Sequence, residues 1–263
     1  MQSARRGTIA YSPSTSVLGM IQDQAQRRDP VKLAGRKEFV GFGDPQYEPS
    51  EDIRDSFQYD PTLKELGFYE MPRLLATNSE LKKISAMFAD DATTYLRDGA
   101  IESRAKEGIL GYKYVHFATH GILDERNPEY SGVVLNLVED DKPQDGFLQA
   151  SEIFDLKLNS DLVVLSACET GLGKVIKGEG MVGLTRAFLY AGSPSIVVSL
   201  WTVEDESTSN LMIYFYQYLK EGHSKDEALR KAKLALMNEN VSGEYLYNSP
   251  FFWGPFILNG SGL

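Results

Sequence analysis

The hydrophobic residues of this chain fall into short continuous runs, and segments with helical periodicity separate these runs. The clearest apolar runs lie at residues 114–118, 162–165 and 196–201. Continuous apolar strands separated by helices are typical of a mostly parallel sheet that is covered by helices on both faces. The pattern therefore predicts an α/β fold with that architecture.

Further elements follow from the same pattern and from turn residues. A strand at 38–42 is predicted to stop at the turn Gly43-Asp44-Pro45, and polar residues 44–70 are predicted to form an irregular loop. Asn78 and Ser79 are predicted to cap a helix over 80–88. Other predicted strands cover 93–96, 132–137 and 255–258, and other predicted helices cover 101–108, 150–154, 181–190, 206–219 and 225–237.

Two of the apolar runs end on residues that can carry out chemistry. One ends on His120 and Gly121, and the other ends on Cys168 with a glycine three residues later. Ligands bind at the carboxyl ends of strands in open parallel sheets, so neighbouring strands of this kind would bring a thiol beside an imidazole. The imidazole can take the proton of the thiol and later protonate a leaving amine. The backbone N–H groups of Gly121 and Cys168 would then stabilise the oxyanion.

Each of these residues also has a purely structural interpretation. A single cysteine after apolar residues is commonly a small buried hydrophobe, and a histidine after a strand is often a hydrogen-bonded core residue. The combination of two strand ends, each followed by a glycine, is much less common than either residue alone, and on the residues alone the catalytic and the structural interpretations both stay open. His116, in the middle of its strand, is expected to be a core or supporting residue, and His223 an exposed residue at a helix end.

Composition and charge restrict the remaining possibilities. The 263 residues carry a formal net charge of −10, which disfavours nucleic acid as a partner because phosphate binding requires a basic surface. One cysteine excludes an internal disulfide and fits a reducing cytoplasm, and three scattered histidines give no metal-ligand spacing. No signal peptide or membrane-spanning run is recognised. We expect a cytoplasmic domain of a longer protein, without cofactor, metal or membrane partner.

Several motifs are long enough to indicate a family. They are His116-Phe117-Ala118-Thr119-His120-Gly121, Leu165-Ser166-Ala167-Cys168-Glu169-Thr170-Gly171, Gly178-Glu179-Gly180, the run at 186–192 and the run at 199–203. Together they resemble the CHAT domain, a bacterial branch of the caspase–separase superfamily that is commonly fused to tetratricopeptide (TPR) repeats. The spacing of 48 residues between His120 and Cys168 is also close to the roughly 50 residues that separate these two residue types in caspases.

The resemblance implies a caspase-like fold and a function. A single domain over 1–263 is expected, with 1–108 as a supporting subregion and 109–263 as the catalytic core. The implied activity is that of a cysteine endopeptidase with a His120/Cys168 dyad. A fused or partner sensor domain, such as a TPR domain, is expected to regulate it in a bacterial stress, defence or cell-death pathway. The alternative is a catalytically idle caspase-like scaffold that acts as a protein-interaction module.

The resemblance also suggests a specificity pocket. Separases carry a Trp-Asp-Val-Thr-Asp run whose last aspartate lines the pocket for a P1 arginine, and Asp205 matches that position although Thr202 replaces the first aspartate. We expect a basic P1 residue, arginine over lysine, because the planar guanidinium pairs with a carboxylate through two hydrogen bonds. Glu169 and Trp201 are further candidates for substrate binding. The alternative for Asp205 is a plain role at a helix N-terminus, where acidic residues are favoured.

Two other patterns are weaker. Ser166 is a candidate for orienting the dyad. Residues 178–183 fit Gly-x-Gly-x-x-Gly, but a dinucleotide site needs a strand immediately before the first glycine, and here a long loop is predicted to intervene. Nucleotide binding is therefore not expected.

Overall fold

A computed structural model describes most of the chain. The described residues are 10–11, 17, 19–21, 23, 28, 33–48, 71–124, 126–138, 143–166, 179–241 and 244–262. The strands are β1 Lys37–Pro45, β2 Ala92–Arg97, β3 Tyr112–Ala118, β4 Gly121–Ile122, β5 Gly132–Val134, β6 Phe147–Gln149, β7 Leu162–Leu165, β8 Ser195–Ser199, β9 Asn240–Val241, β10 Glu244–Tyr245 and β11 Phe256–Gly260. The α-helices with both ends in the described residues are α1 Leu75–Ala86, α2 Glu102–Glu107, α3 Ala150–Ile153, α4 Glu179–Tyr190, α5 Asp205–Lys220, α6 Lys225–Met237 and α7 Pro250–Trp253.

Six strands form the main sheet, in the order β11-β8-β7-β3-β1-β2. All neighbours pair in parallel except β11, which runs antiparallel to β8 at one edge. The carboxyl ends of β1, β3, β7 and β8 consequently lie along one edge of the sheet. This edge collects the residues that follow those strands, which include His120 and Trp201.

Alternate residues of the central strands enter two separate cores. Val115 and Phe117 of β3 pack into a core that contains residues of α2, α3 and α4. Tyr114 of β3 and Val164 of β7 face the other way, into a core that contains residues of α1, α5 and α6. The strands are therefore apolar on both faces, as a sheet with helices on both sides requires. The predicted α/β architecture is confirmed.

Helix α1 lies closely against β1 because β1 has glycines on that face. A Cβ atom on Gly41 would come within 2.6 Å of Leu81 Cδ2, and one on Gly43 within 2.7 Å of Leu81 Cδ1. These distances are shorter than ordinary contacts, so the two glycines allow Leu81 to pack on the strand backbone. Helix α1 is thereby held closely against β1.

The structure corrects the predicted bounds in two places near this helix. Helix α1 begins at Leu75, so Asn78 and Ser79 lie inside it and do not cap it. Strand β1 continues to Pro45 through the residues predicted as a turn, with a shift of register between Gly43 and Pro45 and a positive φ of 45° at Asp44. The turn residues Gly, Asp and Pro thus mark an irregular strand end.

A second, antiparallel sheet was only partly anticipated. It has the order β4-β5-β6 and begins directly after His120. The predicted strand at 132–137 is shorter, as β5, and β6 was not predicted. Ile122, Val134 and Phe147 from this sheet pack with Tyr47 and Met71 in a small core of their own.

Candidate functional site

Three predicted site residues lie beyond the carboxyl ends of the parallel strands. His120 is two residues past β3, Trp201 is two residues past β8, and Asp205 begins α5. Gly121 begins β4 and pairs with Val133 of β5. Cys168 and Glu169 lie outside the described residues, and so does the first glycine of the 178–183 pattern.

The ring of His120 is buried and has a defined hydrogen bond. Its Nε2 lies 2.7 Å from the carbonyl oxygen of Pro72, and a carbonyl can only accept, so Nε2 carries the proton. In the neutral ring this leaves the lone pair on Nδ1. The backbone N–H of His120 also donates to the Tyr47 hydroxyl at 3.2 Å, and the Tyr47 ring lies against the imidazole at 5.0 Å between centroids.

Burial lowers the pKa of His120, and the Pro72 carbonyl opposes this shift in part. The direction follows from the cost of removing a charged imidazolium from water. His120 is therefore predominantly neutral at pH 7. A neutral ring with its proton on Nε2 has Nδ1 available to accept a proton from a reacting group.

The segment that leads into α1, residues 72–76, contacts both His120 and Asp205. Pro72 accepts the hydrogen bond from His120, and four residues later the backbone N–H of Ala76 donates to Asp205 Oδ2 at 2.8 Å. Asp205 thus caps the N-terminus of α1, a helix distant from it in sequence, although it is also the first residue of α5. Asp205 therefore has a capping role, and its Oδ2 atom makes the capping contact.

The half-buried Asp205 carboxylate is in an acidic environment. Burial raises its pKa, the hydrogen bond from Ala76 lowers it, and the negative charges of Glu80, Asp44 and Glu204 raise it further. The net direction is upward. A cation near Asp205 would relieve this repulsion, so the carboxylate has an electrostatic reason to bind one.

Asp44 ties the same segment to the end of β1. Its carboxylate is fully buried and accepts two hydrogen bonds from Arg73, at 2.6 Å from Nε and 2.7 Å from Nη2. Asn78 donates to it at 3.2 Å, and Arg97 lies at 3.5 Å. Burial raises its pKa, but the hydrogen bonds and the positive charges outweigh this, so that the pKa of Asp44 lies below its ordinary value.

A second cluster of buried polar side chains surrounds His116 in the core between the sheet and α1. Its Nδ1 is 3.1 Å from the Tyr216 hydroxyl, and its Nε2 is 3.0 Å from Ser166 Oγ and 2.8 Å from Glu80 Oε1. The side chains of His116 and Glu80 are completely buried. His116 is thus a core residue. Ser166 contacts His116 among the described residues, and no hydrogen bond joins it to His120 in this part of the chain.

Trp201 lies at the rim of the site and is partly exposed. Its Nε1–H donates to the carbonyl oxygen of Phe251 at 3.1 Å, and this bond fixes the indole against the start of α7. Two further apolar side chains are exposed here. Leu200 precedes Trp201 in the chain, and Phe251 is the residue whose carbonyl accepts the indole hydrogen bond. The segment that follows β8 therefore offers apolar surface.

Neither a metal site nor a membrane span is found in the described part of the chain. No group of three or more histidine, cysteine, aspartate or glutamate side chains is arranged to hold a metal ion among those residues. None of their helices combines the length and the apolar character that crossing a bilayer requires.

The family model of the CHAT domain matches residues 3–261, and this match identifies the family. The chain belongs to the CHAT domain family. The family prediction is thereby confirmed, and the match covers almost the whole length of this CHAT domain.

Curated relatives are TPR proteins. Tetratricopeptide repeat protein 28 from Mus musculus is 33% identical over 114 residues, which are 43% of this chain and 4% of the relative. The protein of the same name from Homo sapiens is 33% identical over 118 residues, which are 45% of this chain and 4% of the relative. The matched part is thus a small fraction of each relative.

Two solved structures share the fold of this chain. The arginine-specific cysteine proteinase gingipain R of Porphyromonas gingivalis superposes with a TM-score of 0.59 at 11% identity, over 97% of this chain and 54% of the proteinase chain. Separase of Saccharomyces cerevisiae, in its complex with securin, gives a TM-score of 0.52 at 12% identity, over 96% of this chain and 14% of separase. These likenesses establish the caspase-like fold.

Sequence reasoning missed the residues that hold His120 and Asp205. Pro72, Arg73 and Ala76 precede or begin a helix whose start was predicted five residues too late. Asp44 was assigned to a turn, although it follows a predicted apolar strand just as His120 does. Its position at the end of a strand next to β3 was the signal that could have identified it.

Proposed function

We propose that this CHAT domain is a cysteine endopeptidase in which His120 activates Cys168 and in which the cleaved bond follows a basic residue. The observation that carries the proposal is the state of His120. Its Nε2–H is donated to Pro72, and burial favours the neutral ring, so Nδ1 is prepared to accept the thiol proton.

The register of the sheet supports a dyad between these two residues. Tyr114 pairs with Leu162, and Phe117 pairs with Leu165, so paired residues of β3 and β7 differ by 48 in number. The N–H of Ser166 donates to the carbonyl of Phe117 at 3.0 Å, which continues this alignment past the end of β7. His120 and Cys168 also differ by 48. Three more residues in this register would bring them opposite each other.

The chemistry of the dyad follows from this arrangement. The Cys168 thiol gives its proton to Nδ1 of His120 as its sulfur attacks the scissile carbonyl carbon, and the backbone N–H groups of Gly121 and Cys168 stabilise the oxyanion. The imidazolium then gives its proton to the leaving amine. Water hydrolyses the thioester and regenerates the thiol.

Asp205 is proposed to bind the P1 side chain. Its repulsive acidic surroundings favour binding of a cation. Ala76 uses one lone pair of Oδ2, so both carboxylate oxygens can still accept a hydrogen bond from the substrate. A P1 arginine is preferred over lysine because it can use its planar fork beside the Trp201 rim. The arginine specificity named for gingipain R is consistent with this choice. Glu169 is proposed to contribute to substrate binding from the residue after the nucleophile.

The domain is further proposed to work under the control of a TPR-type sensor in a bacterial stress, defence or cell-death pathway. The relation to TPR repeat proteins supports the sensor. Within a protein that combines this domain with such a sensor, residues 1–263 would form one catalytic unit.

The test is cleavage of fluorogenic peptides that differ only in the P1 residue, arginine, lysine or aspartate. We expect turnover in the order Arg, then Lys, with none after Asp. Cys168→Ala and His120→Ala are expected to reduce turnover at least about 1,000-fold, because the residues of such a unit act together. Ser151→Ala, on the exposed surface of α3, serves as the matched control and is expected to retain the wild-type rate.

Two results would contradict the proposal. Turnover that survives Cys168→Ala would exclude the thiol as nucleophile, and a preference for P1 aspartate would exclude the acidic pocket. An absence of turnover in the presence of the full-length protein's own sensor would favour the idle scaffold instead.

A further inference from the structure

We propose that Asp44 and Arg73 are positioning residues that fix the Pro72 carbonyl and, through it, the ring of His120. This inference rests on the proposed function for its catalytic readout. The structural part stands on its own, because it concerns the proton and orientation of a ring that is present in the resting protein.

The first step is the strength of the pair between the two residues. Arg73 presents its Nε and Nη2 to the two oxygens of one carboxylate, at 2.6 and 2.7 Å. Such paired, charge-assisted bonds fix the orientation of both planes as well as the distance. The Asp44 carboxylate is fully buried while the Arg73 side chain is 51% exposed, so the anchored end is the one on the strand.

The second step is that Asp44 holds the start of α1 through its backbone as well. The N–H of Asp44 donates to Thr77 Oγ1 at 3.0 Å, and Thr77 Oγ1 donates in turn to the carbonyl of Leu74 at 2.7 Å. Asn78 adds a bond to the carboxylate at 3.2 Å. Asp44 thus contacts residues on either side of the α1 N-terminus. Its positive φ of 45°, which is uncommon for aspartate, gives the strand end the shape that permits these contacts.

The third step connects the Asp44–Arg73 ion pair to the candidate site. Pro72 is the residue directly before Arg73, and its carbonyl is the acceptor for His120 Nε2 at 2.7 Å. Ala76, three residues after Arg73, donates to Asp205. In the chain, Arg73 therefore lies between Pro72, which orients the candidate base His120, and Ala76, which holds the candidate P1 residue Asp205. Loosening the pair would move the Pro72 carbonyl away from Nε2 and release the ring.

The experiment compares Asp44→Asn, Arg73→Gln and Arg73→Lys with the wild-type chain. Asparagine tolerates the positive φ of position 44, and Arg73 is half exposed, so these variants are expected to retain the fold. Arg97→Gln is the matched control, because it also removes a cation near Asp44 but is not linked to Pro72 through the chain. Arg73→Lys keeps the charge without the fork and is expected to recover part of the lost rate.

The first readout is the tautomer of His120, measured by nitrogen-15 chemical shifts of the imidazole and assigned with His120→Gln. We expect the Nε2–H form in the wild type, and a mixture of both tautomers in Asp44→Asn and Arg73→Gln. This readout does not depend on activity. A wild-type ring with its proton on Nδ1, or variants with an unchanged tautomer, would overturn the positioning role.

The second readout is the kinetics of P1-arginine peptide cleavage. We expect kcat to fall about 10- to 100-fold in Asp44→Asn and Arg73→Gln with KM within about twofold, because a catalytic group that is misplaced by about 1 Å costs rates of this size. Arg97→Gln is expected to change kcat less than about threefold. A rise in KM at constant kcat would instead assign Asp44 to substrate binding and overturn the proposal. A wild type without turnover contradicts the proposed function only, and the tautomer then decides this inference.

Discussion

At the scale of single residues, His120 owes its chemical state to one hydrogen bond and to burial. The Pro72 carbonyl fixes which nitrogen carries the proton, and burial favours the neutral ring. A sequence shows that a histidine follows an apolar strand, but it does not show which carbonyl will reach the ring. Pro72 is 48 residues earlier in the chain, so no local pattern predicts the contact.

Asp205 has a structural and a proposed functional role, and substitutions can separate them. Asp205→Asn retains an oxygen that can accept from Ala76, so the free energy of unfolding is expected to change by less than about 0.5 kcal/mol. The loss of charge is expected to lower kcat/KM for P1-arginine peptides about 10- to 100-fold, because hydrogen bonds to charged groups contribute more than neutral ones. Asp205→Ala is expected to lose both the cap, about 1 kcal/mol, and the cleavage.

Chemical denaturation and steady-state kinetics on the two variants check this prediction. If Asp205→Asn cleaves arginine substrates at the wild-type rate, Asp205 is a helix cap without a role in the pocket.

At the scale of elements, α1 joins the parts of the site. It packs on Gly41 and Gly43 of β1, its N-terminus is capped by Asp205, and Glu80 reaches His116 of β3. The hydrophobic pattern predicted that a helix exists here, and it placed most helices and parallel strands close to their observed bounds. The start of α1 was missed because its cap is supplied by a carboxylate 129 residues away in the chain instead of by Asn78 or Ser79.

The Glu80–His116 pair gives a prediction about how α1 is attached to the sheet. Both side chains are completely buried, so His116→Leu would leave the Glu80 carboxylate without its partner in the core. We expect a loss of about 1–3 kcal/mol in the free energy of unfolding, because a buried polar group that loses its partner is costly. The double variant Glu80→Met/His116→Leu is expected to recover most of this loss.

Urea denaturation of the single and double variants measures the coupling between the two positions. Losses that simply add in the double variant would show that the pair does not act as a unit.

At the scale of the whole molecule, the residues of the candidate site lie along one edge of the main sheet. The parallel order of β8, β7, β3 and β1 brings the ends of four strands together, although their residues are spread from Asp44 to Trp201 in the chain. This arrangement was predictable from the apolar runs and from the resemblance to the CHAT domain. The small β4-β5-β6 sheet was less predictable, because its three strands are only two or three residues long and β6 lacks a distinctive pattern.

The register offset of 48 residues between β3 and β7 is the most informative property of the whole fold, since it equals the separation of His120 and Cys168. The sequence could supply the separation, but only the paired strands show that it is also the offset between neighbours. The central claim is therefore that the Cys168 thiol reacts with the help of His120.

The most direct measurement is covalent labelling of Cys168 by an arginine peptide that carries an acyloxymethyl ketone at P1, followed by mass mapping of the adduct. The account predicts stoichiometric labelling of Cys168 in the wild type. In His120→Ala the labelling rate is expected to fall at least about 100-fold, because the base that generates the thiolate is absent. Free iodoacetamide on the denatured chain provides the control that the thiol is intact in both proteins. Equal labelling rates in the wild type and His120→Ala, or a wild-type Cys168 that stays unlabelled, would contradict the account.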